Sequence, residues 1–263
     1  MGLIGGSLGY GILRTIAPAP PARTVEPEQH GSLKLERFLG TDWLAALSGK
    51  TVIDFGCGDG RQAAAIAEAV PDCRVIGLDI QPRLIERARA NAASLGLGER
   101  CEFTTETDER ADVIISIDAF EHFSDPAAIL VRMSELLAPD GEIRVSFGPT
   151  WLHPYGGHLF SVFPWSHLLF TERALIRWRS CFRSDGAQHF EEVEGGLNRI
   201  RIHRFERLVA ASPLAIDWLE TRPIRGLGWL RWRPFREFGS SVVCCRLVHR
   251  PRQRSKPDWE VLL

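Results

Sequence analysis

Six cysteines are scattered over 263 residues and no two stand in a C-x-x-C spacing. Cys57, Cys73, Cys101, Cys181, Cys244 and Cys245 therefore suggest neither a zinc knuckle nor a disulfide framework. Several lie in apolar, strand-like runs, where a thiol behaves as a small hydrophobe. That usage is expected of a reducing, cytoplasmic setting. The glycine-rich start, Met1 to Arg23, has no basic region ahead of an apolar core. It is too short and too broken by glycine to span a bilayer. With Ala17-Pro18-Ala19-Pro20-Pro21 it reads as a flexible leader over residues 1–30, and residues 251–263 read as a polar tail. Internal repeats and low-complexity tracts are also lacking, which leaves a single domain over 31–250. Net charge is only −1, yet residues 1–150 carry 14 Lys/Arg against 22 Asp/Glu, and residues 151–263 carry 18 against 11. The basic half can meet an anionic partner or be a solvated face docked on the acidic half.

What is present is a run of local signals in a fixed order. Val52-Ile53-Asp54-Phe55-Gly56-Cys57-Gly58-Asp59-Gly60 is an apolar strand entering a glycine-rich turn. A helix-like stretch follows, then Val75-Ile76-Gly77-Leu78-Asp79-Ile80. Glycines in the turn permit positive φ and let the backbone approach a ligand. The next helix starts with free N–H groups. Asp79, ending the second strand, is placed to accept from both hydroxyls of a ribose. A dinucleotide fingerprint needs G-x-G-x-x-G, but here the third glycine is Gly60 and Arg61 takes its usual place.

The pattern Asp54-x-Gly56-x-Gly58-x-Gly60 resembles motif I of the class I S-adenosylmethionine-dependent methyltransferases. Further blocks extend the resemblance over about residues 49–147. These are Asp112 to Phe123, then Asp125-Pro126, then Leu136-Leu137-Ala138-Pro139-Asp140-Gly141-Glu142-Ile143. It implies S-adenosylmethionine as cofactor, with Asp54, Gly56, Gly58 and Gly60 cradling its amino-acid and ribose parts. Asp79 and Ile80 would lie at the ribose, and Asp118 to His122 would border the methyl. One block departs from the family. After the third strand, Thr105-Glu106-Thr107-Asp108 runs almost directly into the next, so Glu106 and Thr107 are the candidates for the adenine edge.

Strands are expected at 51–55, 74–79, 101–105, 112–117 and 142–147, with helices at 60–70, 82–95 and 126–137. Near-continuous apolar strands separated by helices predict an α/β fold, a doubly wound Rossmann-like sheet with helices on both faces. A helix at 197–211 and strands at 214–222 and 240–249 complete seven strands, mostly parallel with the last antiparallel. A helical preface over 33–48 is expected to cover the crevice.

Residues 148–197 form an insertion after strand five, rich in Trp, His, Phe, Pro and Gly. Ligands of open α/β sheets sit beyond the carboxyl ends of the strands, so the insertion is read as a lid over a methyl acceptor. Candidate bases are His122, His153 and His158, with His167, Glu121 and Tyr155 behind them. His167, after an apolar run, reads as a packing residue. His153-x4-His158 in a loop without nearby acids is a weak metal pair, and no metal is expected. Arg225, Arg231, Arg233 and Arg236 interleave with Trp229, Trp232 and Phe235. They are read first as packing on the lid, with residues 225–238 a candidate peripheral membrane contact and no strong nucleic-acid signal. The acceptor is expected to be a small molecule, a sugar or a lipid-linked intermediate, methylated on O or N. The alternatives are an NAD(P)-dependent oxidoreductase and a non-catalytic nucleotide-binding module.

Overall fold

The computed structural model describes residues 2–19, 35, 41–193, 195–224, 226, 228–232 and 235–251. Its centre is a seven-stranded sheet in the order β3-β2-β1-β4-β5-β7-β6. The strands are β1 Thr51–Phe55, β2 Arg74–Leu78, β3 Cys101–Thr104, β4 Ala111–Ile117, β5 Leu137–Phe147, β6 Leu214–Pro223 and β7 Ser240–His249. The first five run parallel, and β7 is antiparallel to both β5 and β6. This is the expected doubly wound α/β sheet.

Alternation along each strand explains why both faces are covered. In β1, Ile53 and Phe55 face a cluster with Ile76, Ile114, Leu130, Met133 and Phe205. Val52 faces the other side, with Val75, Val113, Ala63, Ile66 and Ile85. Helices α3 Arg61–Ala69 and α4 Pro82–Ser94 cover the second face, and α5 Pro126–Leu136 and α8 Ile202–Ala211 the first. Their ends follow local rules. Pro82 and Pro126 open α4 and α5, and the Asp125 carboxylate accepts from the Ala127 and Ala128 N–H groups.

Several expectations are corrected. The leader is not uniformly flexible: α1, Gly6–Ile16, is a helix whose Leu13 is buried with Trp151, Phe170 and Trp178. Burial of its apolar side offsets the cost of ordering glycines. Of the helical preface, Leu35 and residues 41–48 are described, with α2 at Thr41–Ala45. Trp43 donates its indole N–H to Glu142 at 2.9 Å, near the start of β5's paired stretch, so this part packs away from the crevice. A buried indole must find an acceptor, and the one in reach lies there. Finally, β5 begins at Leu137, five residues early. Leu137 pairs with Ala111 and Glu142 with Val113, so Pro139-Asp140-Gly141 lies in an irregular stretch.

The insertion holds α6 Ser166–Leu169 and α7 Glu172–Arg179, and builds a third cluster with α1 from Trp151, Phe160, Phe170, Leu175, Trp178 and Phe190. The segment 228–232 and α9 Arg236–Gly239 precede β7. Trp229 and Trp232 are 61% and 71% exposed, so these aromatics do not pack on the lid. They instead meet Phe235 locally, where the Trp229 and Phe235 rings stand edge-on at 5.6 Å. Arg225 and Arg233 of this segment, and residues 252–263 of the expected tail, lie outside the described residues.

Candidate active site

The chain order reverses between β1 and β4, the switch point where an open α/β sheet has its crevice. The turn after β1 forms one wall. Gly56 and Cys57 donate N–H bonds to Leu78 O at 2.8 and 3.1 Å, and Asn91 Nδ2 donates to Asp59 O at 2.9 Å. The glycines of this turn have different reasons to be glycine. A Cβ at Gly56 would stand 2.8 Å from that of Ala119, and one at Gly60 2.7 Å from Phe103, so the fold itself forbids them. Gly58 has φ +56° and a Cβ there would meet nothing, so it faces open space where a ligand can approach the backbone.

Three carboxylates stand at the strand ends. Asp54 is buried, and burial, with the charge of Asp79, raises its carboxyl to about 7 although the Ala63 N–H bond pulls the other way. Its Oδ2 has no hydrogen-bond partner. Asp79 is half-buried; Oδ2 accepts from Gly58 N–H at 3.0 Å and Oδ1 from Gln81 N–H at 2.9 Å. Each oxygen retains further acceptor capacity. Asp118, ending β4, has φ +52° and donates its N–H to Ser146 O at 2.9 Å. Such backbone in a non-glycine residue costs of order 1–3 kcal/mol and concentrates at functional sites. Beside Asp79, Ile80 is 86% exposed, an apolar platform at the end of β2. Glu106 is exposed in the loop after β3, while the Thr107 hydroxyl accepts from Glu109 N–H at 3.2 Å.

Together these residues fit S-adenosylmethionine. An orphaned buried carboxylate oxygen suits its ammonium, the open side of Gly58 admits its backbone-hugging chain, and the acidic strand ends complement its positive charges. Cys57 stays a thiol, since burial pushes its pKa far up.

The histidines separate by what holds their rings. His122 Nδ1 lies 2.9 Å from Gly196 O, so Nδ1 carries the proton and Nε2 keeps its lone pair. His158 sits edge-on to it, ring centroids 5.4 Å apart. Burial, then His122 and His167, lower His158 to about 4, and its Nε2 is buried without a partner. His153 has both nitrogens engaged: Nδ1 accepts from Tyr155 N–H at 3.1 Å, and Nε2 lies 3.3 Å from Ser241 Oγ. His167 is packed, bonded to Ser161 Oγ and Trp151 O at 2.9 and 2.7 Å. His122 and His158 are thus brought together, while His153 lies apart with Tyr155 and Ser241.

Asn198 was not visible as a site residue. Its Nδ2 donates to Phe120 O and Phe123 O at 2.8 and 2.9 Å, and its N–H to Glu121 O at 3.0 Å, pinning the segment after β4. Glu121 accepts from Gly148 N–H at 3.1 Å, tying that segment to the start of the lid. The only local hint was Gly195-Gly196 just ahead of Asn198, a turn signal without a partner. Among the described residues no group of three or more His, Cys, Asp or Glu side chains is placed to hold a metal.

Residues 46–149 match a family model described as a methyltransferase domain. The trans-aconitate 2-methyltransferase of Methylobacterium radiotolerans is 38% identical over 106 residues, 40% of this chain and 40% of that protein. The ribosomal protein L11 methyltransferase of Serratia proteamaculans is 37% identical over 101 residues, 38% of this chain and 34% of that protein. This chain thus spans about two-fifths or less of these curated relatives. A solved geranyl diphosphate methyltransferase in complex with S-adenosylmethionine covers 83% of this chain and 85% of its own, with a TM-score of 0.55 and 15% identity, a likeness of fold. The matched stretch contains the glycine turn, Asp79 and the end of β4; over residues 46–149 the chain is similar to a methyltransferase domain, and its sheet shares the fold of the solved methyltransferase.

Proposed function

We propose that this protein methylates a hydroxyl oxygen of a small-molecule acceptor, with His122 as general base. The observation that carries this reading is the tautomer of His122, whose Nδ1–H is held by Gly196 O while Nε2 stays available at the carboxyl end of β4. S-adenosylmethionine, cradled by Asp54, Gly58, Asp79 and Ile80, supplies a methyl group already activated on a sulfonium centre. Glu106 and Thr107 border its adenine in this reading, and Asp118 borders the methyl. His122 Nε2 would accept the proton of the acceptor hydroxyl as that oxygen receives the methyl group the bound cofactor would supply. His158, neutral well below pH 7, spares the resulting imidazolium a like charge. Alignment and exclusion of water supply the remainder, and the aromatic insertion over 148–197 serves as the lid that provides both.

The domain is read as 31–250, and the acceptor as a sugar or a lipid-linked intermediate. Exposed Trp229, Trp232, Phe235 and Phe238 support a peripheral membrane contact through 225–238. The names of the relatives include a small acid and a ribosomal protein as acceptors. The small-molecule class is favoured here by the insertion over 148–197, which leaves the sheet at the carboxyl end of β5, on the side of the crevice.

The test has two arms. Calorimetry with S-adenosylmethionine and NAD side by side should show binding of the first alone; tight NAD binding would favour the oxidoreductase. With a substrate found by screening hydroxylated acceptors, His122→Ala should lower kcat by about 10²–10⁴-fold at unchanged cofactor affinity. Full turnover by that variant across pH would remove the base from the mechanism.

A further inference from the structure

Helix α1 is apolar on two sides. Leu13 on its inner side is buried in the lid's cluster. On the outer side Leu8 is 70% exposed, and Ile16 is exposed too, along a shallow groove with Gly11, Ile12 and Thr15. Leu3, just ahead of the helix, is 91% exposed. Its N–H donates to Leu169 O at 2.8 Å, which sets it beside the exposed Leu169 and Trp165 of the lid. A helix with apolar side chains on two sides normally has something against both.

The rim of this patch is cationic. Arg14 lies on α1, and Arg173 and Arg177, four residues apart, share the outward face of α7. The Arg177 guanidinium lies 4.2 Å from the Tyr10 ring centroid, joining the two helices. Among the described residues none of these three arginines makes an ion pair. Arg173 and Arg177 also line a cavity of about 820 Å³ with Gly2, Ser180, Gln188 and His189. Glu172, at the same cavity, is already engaged by Arg199 at 2.7 Å and by Phe190 N–H at 2.7 Å. Among the described residues the patch is therefore apolar with a positive edge that no carboxylate pairs.

We infer that α1 and α7 dock this protein on an anionic phospholipid surface. Leu3, Leu8 and Ile16 enter the acyl boundary, Trp165 sits at headgroup level, and Arg14, Arg173 and Arg177 meet lipid phosphates. Charge decides against a second copy as occupant, because a two-fold pairing of this face would set the arginines against their own images. Since α1 shares a core with the lid, docking brings the lid to the membrane. The inference does not depend on which acceptor is methylated, and it is separate from the 225–238 surface.

Sedimentation of the full chain with phosphatidylcholine vesicles, with and without phosphatidylglycerol, tests it. Binding should require the anionic lipid and weaken at least about tenfold when salt is raised to screen it. Leu3→Glu/Leu8→Glu and, independently, Arg173→Glu/Arg177→Glu should each cost about tenfold or more of the salt-sensitive, anionic-lipid-dependent binding, a component that Trp229→Ala/Trp232→Ala leaves in place even where it lowers the total. All six residues are exposed, so melting near that of wild type, with Arg177 giving up only its contact with Tyr10, and unchanged cofactor affinity in buffer serve as controls. That cofactor control fails alone if the methyltransferase reading is wrong. Equal binding to neutral vesicles, no binding at all, or loss in the tryptophan variant only would overturn the inference. So would a dimer in solution that Leu8→Glu disperses.

Discussion

Replacing Asp54 by asparagine probes the cradle at its most buried point. Burial, with Asp79 adding to it, raises this carboxyl from an ordinary 3.8 to about 7. The native state therefore holds a proton that the unfolded chain has already released across that interval. The stability this brings is complete below the unfolded value and is lost as pH rises through the folded one. The interval spans about three pH units at ~1.4 kcal/mol each, so about 4 kcal/mol should be lost by about pH 8. An asparagine amide has no proton to release and removes that slope. It keeps an acceptor for Ala63 N–H but leaves a buried NH2 without a partner, costing about 1–3 kcal/mol at low pH. His158, lowered to about 4, acts in the opposite sense, losing stability as pH falls below its ordinary value of 6.5. The quantity to read is thus the difference between wild type and Asp54→Asn. Urea unfolding of the cofactor-free protein from about pH 4 to about pH 8 should show the variant weaker at the acid end, with the gap closing or reversing at the basic end. Parallel profiles would refute the assignment of a titrating, desolvated Asp54.

Asp79→Ala should weaken S-adenosylmethionine binding by about 1.5–3 kcal/mol, the scale of charge-assisted hydrogen bonds, as read by calorimetry on a folded variant. Gly58→Val should abolish cofactor binding while costing stability only the strain of its positive φ, about 1–3 kcal/mol, because nothing of the protein occupies the space its side chain enters. Gly60→Val should instead cost stability outright, since its Cβ stands within 2.8 Å of Phe103 and Ala88. Thermal melts beside calorimetry separate the two. His153→Ala should lower Tm and leave kcat within a few-fold, because both ring nitrogens already serve Tyr155 and Ser241.

The local chemistry of the chain determined the sheet, its helices and one half of the site. Apolar runs such as Val52–Phe55 and Val75–Leu78 are two-faced strands wherever they sit, and Gly56, Gly58 and Gly60 dictate their own turn. Asp54 and Asp79 then follow at fixed distances along the backbone, so short-range pattern was enough to place them. Tertiary structure decided the other half. Whether a histidine is a base depends on what holds its far nitrogen, and for His122 that is the carbonyl of Gly196, 74 residues away. Sequence spacing ranked His153 equally with His158, yet packing engaged both nitrogens of the first and buried the second. Composition made residues 1–30 a flexible leader, while Leu13 found a buried seat among lid aromatics more than a hundred residues on. The same composition put Trp229 and Trp232 against the lid, and the fold left them in solvent. Backbone preference acts over a few residues and is written locally; burial and partner choice belong to the surfaces that meet only once the chain has closed on itself.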